Sequence, residues 1–93
     1  MKTIYKYPLK DLHEAIFSYK KFKPLSVQMQ DDVLTLWAEV APENDEIADT
    51  CYCYSVVGTG WPITQHVIEQ KYVGTVQDKD GLVWHVFCEV GNG

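Results

Sequence analysis

The chain has no arginine; all eight of its basic residues are lysines. Base readout favours the bidentate guanidinium fork, and phosphate tracking rests on clustered cations. With thirteen acids and a net charge of −5, direct nucleic-acid binding is not expected. The sequence also lacks an apolar run long enough to span a bilayer. The opening Met-Lys-Thr-Ile-Tyr-Lys-Tyr alternates, with no hydrophobic signal core, so a cytoplasmic protein is expected. No His-Glu-x-x-His, Cys-x-x-Cys or nucleotide P-loop pattern occurs, and no Ser/His/Asp arrangement is readable from the spacings. The reading is therefore of a protein that is not an enzyme and needs no cofactor. Cysteine is sparse and odd in number, at Cys51, Cys53 and Cys88. Free thiols that behave as small buried hydrophobes are expected, rather than disulfides. Cys51 and Cys53 fall on one face of a strand, whereas His85 and Cys88, three apart, fall on opposite faces. No metal site is expected.

What is present is a small globular composition, 46% hydrophobic and 13% aromatic over 93 residues. That length suits a single domain over 1–93, which buries only about two-thirds of its unfolded surface. The dominant period is two. Residues 2–8 alternate and close at Pro8. Leu25, Val27 and Met29 alternate with Ser26, Gln28 and Gln30, and Asp31-Asp32 sits between two strand patterns as a tight turn. In residues 33–40, Leu34, Leu36, Ala38 and Val40 take one face and Val33, Thr35, Trp37 and Glu39 the other. Residues 50–57 and 72–77 read as strands, Asp78-Lys79-Asp80-Gly81 as a hairpin turn, and residues 82–90 as a central strand apolar on both faces. Gly91-Asn92-Gly93 reads as a frayed end.

Two segments stay open. Leu12, Ala15, Ile16 and Tyr19 fit a short helix stripe, but Phe17 and Tyr19 favour a strand. Pro62 is suited to opening a short helix with Ile63 and Val67 inward. The pattern as a whole is mainly β: a small antiparallel β-sandwich or half-open barrel of six or seven strands, with at most one short helix.

Several residues are candidates for function. In Gly58-Thr59-Gly60-Trp61-Pro62, two glycines let backbone N–H groups converge on a ligand and Trp61 offers a stacking surface. Trp37 lies on the mixed face of its strand and pairs with Trp61 as an aromatic anchor if that face is open. His85 sits in the most apolar strand, flanked by Trp84 and Val86. Charge is segregated: residues 1–23 carry +4 and the remainder −9. Lys6 and Lys71 are candidates for neutralising an anion. Residues 31–49 hold seven acids and no base, and Asp31, Asp32, Glu43, Asp45 and Glu46 form a candidate acidic surface for a basic partner.

The start Met-Lys-Thr-Ile-Tyr-Lys-Tyr-Pro-Leu resembles that of an uncharacterised family of small bacteriophage-encoded proteins. So do Leu25-Ser26-Val27-Gln28-Met29-Gln30, Leu36-Trp37-Ala38, Val57-Gly58-Thr59-Gly60 with Pro62, Tyr72-Val73-Gly74-Thr75, and Val83-Trp84-His85-Val86-Phe87. These blocks keep the family's order over nearly the whole chain. The sequence departs from the family in its lysine-rich segment before Leu25 and in Trp61, where relatives often carry a polar residue or His. The resemblance implies a phage accessory protein in a bacterial host cell and supplies no catalytic residues. Its expected role is anti-defence, as a non-catalytic inhibitor of a host defence or nucleic-acid-processing protein. The alternatives are a sponge for a small nucleotide signal, built as a homo-oligomer, and a minor virion component.

Overall fold

The computed structural model describes residues 1–44 and 46–92. The elements run β1 (Thr3–Pro8), β2 (His13–Ser18), β3 (Lys21–Gln30), β4 (Val33–Val40), β5 (Thr50–Gly58), α1 (Gln65–Ile68), β6 (Lys71–Gln77), β7 (Val83–Cys88) and β8 (Gly91–Asn92). They form two antiparallel four-stranded sheets, ordered β1-β4-β3-β8 and β2-β5-β7-β6. The architecture is the expected mainly β sandwich with one short helix. The open segment after Lys10 is a strand, as the β-forming Phe17 suggested, and no helix among the described residues is long and apolar enough to cross a membrane.

The core lies between the sheets and follows the period-two pattern. Leu36, Ala38 and Val40 of β4 meet Tyr52, Tyr54 and Val56 of β5, and Val86 and Cys88 of β7, all buried. Phe22 of β3 stacks on Tyr52 of β5 with ring centroids 4.4 Å apart and planes 16° from parallel. Tyr7 meets the same Phe22 edge-on at 5.7 Å, and its hydroxyl shares a 2.8 Å hydrogen bond with the buried Ser18. The Tyr52 hydroxyl donates to the carbonyls of Tyr19 and Lys20, in the link between β2 and β3. Each of these hydroxyls has a hydrogen-bond partner, which offsets part of the cost of burying it.

Four expectations are corrected. Leu25 does not share a face with Val27: a bulge between Pro24 and Ser26 inserts one residue, so Pro24 is buried and Leu25 turns out to solvent. Gly91 and Asn92 are not frayed, because they pair with Phe22 and Lys21; Gly93 lies outside the described residues. A Cβ on Gly91 would overlap the Tyr52 hydroxyl and the Lys20 carbonyl, so only glycine fits there. The cysteines are free, but only Cys88 is buried; Cys51 is exposed and Cys53 half-buried on the outer face of β5. Burial pushes the Cys88 thiol up to about 12. Of the two apolar residues expected to point inward from the short helix, Val67 does and Ile63 is exposed.

A second bulge, between Tyr72 and Gly74 of β6, mirrors the one in β3. The two bulged strands approach each other at the seam between the sheets. A Cβ built on Gly74 would lie 3.0 Å from a Val27 methyl. The β3–β4 turn puts both Asp31 and Asp32 in the left-handed region, with φ of 49° and 64°. Asp tolerates this conformation less well than Gly.

The variant Asp32→Gly is therefore expected to be more stable, by about 0.5–1 kcal/mol. The Lys79–Asp32 ion pair it removes is well exposed and contributes little. Chemical denaturation of both chains checks this. Burial raises the phenols of Tyr7, Tyr52 and Tyr54 above their ordinary value of 10.0. Below pH 10 both the folded and the unfolded chain hold these protons, so their contribution is constant. Above it the unfolded chain loses them first, and stability falls as pH rises through and beyond 10. Denaturation midpoints measured from about pH 8 to about pH 11.5 should show that decline.

Candidate functional site

The site grows from the end of β5. Gly58 pairs with Trp84 of β7, and the ladder runs one bond further, from the Thr59 N–H to the Val83 carbonyl at 3.2 Å. The chain then reverses. The Trp61 N–H donates to the Gly58 carbonyl at 3.1 Å, with Gly60 at φ 89°. This turn folds the Trp61 ring back over Gly58, where an added Cβ would meet the indole at 2.8 Å. The ring also packs edge-on against Trp84, with centroids 5.5 Å apart.

Strand register brings the rest together. His85 lies opposite Val57 on one side and Thr75 on the other, and Phe87 lies opposite Tyr72. All five point from the outer face of the second sheet. The His85 ring is held at both nitrogens: Thr59 Oγ1 lies 2.8 Å from Nε2 and Thr75 Oγ1 2.9 Å from Nδ1. The Tyr72 hydroxyl bonds to the same Thr75 oxygen. A neutral imidazole has one donor and one acceptor, and a hydroxyl serves either, so the whole line from Thr59 to Tyr72 is satisfied. Around it, Trp61, Ile63, Tyr72 and Phe87 wall a cavity of about 250 Å³. Among the described residues, no lysine and no carboxylate lines it. The arrangement offers an apolar slot with a fixed polar strip.

Residues 1–92 match a family described as a domain of unknown function (DUF7352). The chain belongs to that family. No curated protein and no solved structure matches it.

Of the residues picked out in the sequence, Gly58, Thr59, Gly60, Trp61 and His85 converge on this cavity. Trp37 does not join them. It is half-buried on the outer face of the other sheet, between Lys6 of β1 and Ser26 of β3, so the expected Trp37–Trp61 anchor is not formed. Lys6 donates to the Gln30 side-chain carbonyl at 3.3 Å, also on that far face. Lys71 begins β6 opposite Cys88 and stays exposed outside the cavity. Neither lysine is positioned to neutralise an anion beside Trp61.

The acidic residues do not make one patch either. Asp31 and Asp32 form the turn before β4, and Glu43 and Glu46 follow its other end. Eight residues of β4 hold the two groups about 26 Å apart. Asp45 lies outside the described residues. Glu46 acts locally. Its carboxylate accepts from the backbone N–H of Glu43 and of Lys20, which hold it below the ordinary carboxylate range.

Ile63, Tyr72, Thr75 and Phe87 belong to the site and went unpicked. Thr75 was within reach, because counting back from the Asp78–Gly81 turn sets it opposite His85. Tyr72 was not, because without the bulge the same count sets Val73 opposite Phe87.

The variant Gly58→Ala is expected to displace the Trp61 ring while leaving the sheets intact. Nuclear magnetic resonance should show the Trp61 indole N–H moved and the amide signals of β1 and β4 unchanged.

Proposed function

We propose that this protein is a non-catalytic binding protein that docks on a partner protein through the outer face of β5, β7 and β6. The observation that carries this reading is the aromatic cavity, rimmed by Trp61 and Tyr72 with 48% and 52% of their surface exposed. Tryptophan and tyrosine in a partly preformed pocket are the chemistry of interface hot spots. The polar strip supports binding over turnover. His85 contacts two neutral hydroxyls and is braced by them, which fixes a recognition surface in place.

In its finer form, the reading is of a bacteriophage accessory factor that occupies and inhibits a host defence or nucleic-acid-processing protein. The phage setting and the antagonist role come from the resemblance of its sequence blocks to small phage-encoded proteins. The alternative of a nucleotide sponge has less support. Among the described residues no lysine lines the cavity to meet a phosphate, and one face of Trp61 is already taken by Gly58.

The test is to express tagged chain in host cells and isolate complexes by size exclusion. A stoichiometric complex with one host protein is expected for the unaltered chain and for Lys6→Ala, which changes the opposite sheet. Trp61→Ala should weaken it about thirtyfold, corresponding to about 2 kcal/mol for a hot-spot side chain. No complex, or one indifferent to Trp61, overturns the reading.

A further inference from the structure

A second cavity, of about 370 Å³, opens at an end of the sandwich and shares no lining residue with the one beside His85. Its size is in the range of small-molecule sites, roughly 300–1,000 Å³. Its floor is apolar and comes from both sheets: Leu9 and Leu34 on one side, Val56 and Trp84 on the other. Leu9 and Val56 are buried and the other two half-buried, so a guest would find dry surface below the rim.

The rim is charged, and unequally. Lys10 and Lys79 are set against Asp11, Asp32, Asp78 and Asp80. Lys79 and Asp32 pair with each other across the opening at 3.7 Å, which ties the β6–β7 turn to the β3–β4 turn. Both partners are well exposed, so this strap is weak and opens readily. Three carboxylates and one lysine remain. Asp78 is the anchored one. One of its oxygens accepts from the Asp80 and Leu82 N–H groups at 2.9 and 3.0 Å, and the other from Trp84 Nε1 at 2.9 Å. The Trp84 bond, with the two backbone bonds, holds its carboxyl below the ordinary range, so the charge is present at neutral pH.

We propose that this mouth binds a small organic cation, with its apolar body on Trp84, Leu34 and Val56 and its ammonium group against Asp11, Asp78 and Asp80. The charge imbalance selects the sign, and the apolar floor selects against a bare metal ion or a strongly hydrated amine. Trp84 touches Trp61, but the two cavities share no lining residue, and the Leu34 and Val56 methyls report on this one alone, so protein docking and cation binding are tested separately.

The probe set is phenethylammonium, 2-phenylethanol and phenylacetate, which share one ring and differ in charge. Each is titrated into the full chain at low salt and followed by nuclear magnetic resonance. Phenethylammonium should shift the Trp84 indole N–H and the Leu34 and Val56 methyls saturably, binding at least about tenfold more tightly than the alcohol. Phenylacetate should bind weakest. The double variant Asp11→Asn/Asp80→Asn alters two exposed side chains and should fold. It should weaken the cation about fivefold and leave the alcohol unchanged, as expected for partly screened charges. Equal binding of the amine and the alcohol overturns the proposal. So do shifts confined to residues outside the mouth, the absence of saturation, or a double variant that binds the cation as before.

Discussion

The stack of Phe22 on Tyr52 is the contact on which the rest of the architecture depends. One ring comes from each sheet, so the pair sets the distance and angle between them. Tyr7 closes on Phe22 from β1, and the Tyr52 hydroxyl secures the carbonyls where β2 passes into β3. Gly91 lies against that same hydroxyl, which lets β8 reach the start of β3. A domain of 93 residues has little apolar surface to spare, and aromatic pairs contribute most per residue. Three aromatic side chains therefore fix five of the eight strands.

Bulges do the shaping that aromatic packing cannot. Each of β3 and β6 carries one extra residue, and each bends toward the other where Gly74 faces Val27. The seam is drawn together there without a hydrogen-bonded ladder between the sheets, so the structure stays a sandwich. The bulge in β6 also rotates Tyr72 to the outer face, beside Phe87, with a 5.6 Å edge-on contact. The candidate docking surface thus depends on a backbone irregularity as much as on side-chain type.

Much of this fold was legible in the residues. The alternation of Leu34, Leu36, Ala38 and Val40, the turn chemistry of Asp31-Asp32, and the two-faced apolarity of β7 each follow from local pattern. Local pattern also placed Cys51 and Cys53 together, and His85 on the face opposite Cys88. The failures share a physical cause. A bulge breaks the period of two, as at Leu25 and Val73, and the neighbouring Pro24 and Gly74 are the local signs of it. Gly91 looked like a loose end because its function is to leave room for the Tyr52 side chain, far earlier in the chain. For the site, Gly58 to Trp61 and His85 were visible as unusual residues in apolar strands. Their separation from Trp37 was not, because sheet membership depends on long-range pairing. The same limit applies to the acids from Asp31 to Glu46: they are continuous in sequence, but a rigid rod runs between them.

The seat of Trp61 has one more consequence. Its ring lies over Gly58, the last residue of β5, and against the edge of Trp84, and it is about half exposed. The residue at this position can change in size and polarity while the two sheets keep their packing. On the proposed docking face, a change of side chain at this loop position would alter the surface offered to a partner more than it alters the scaffold beneath.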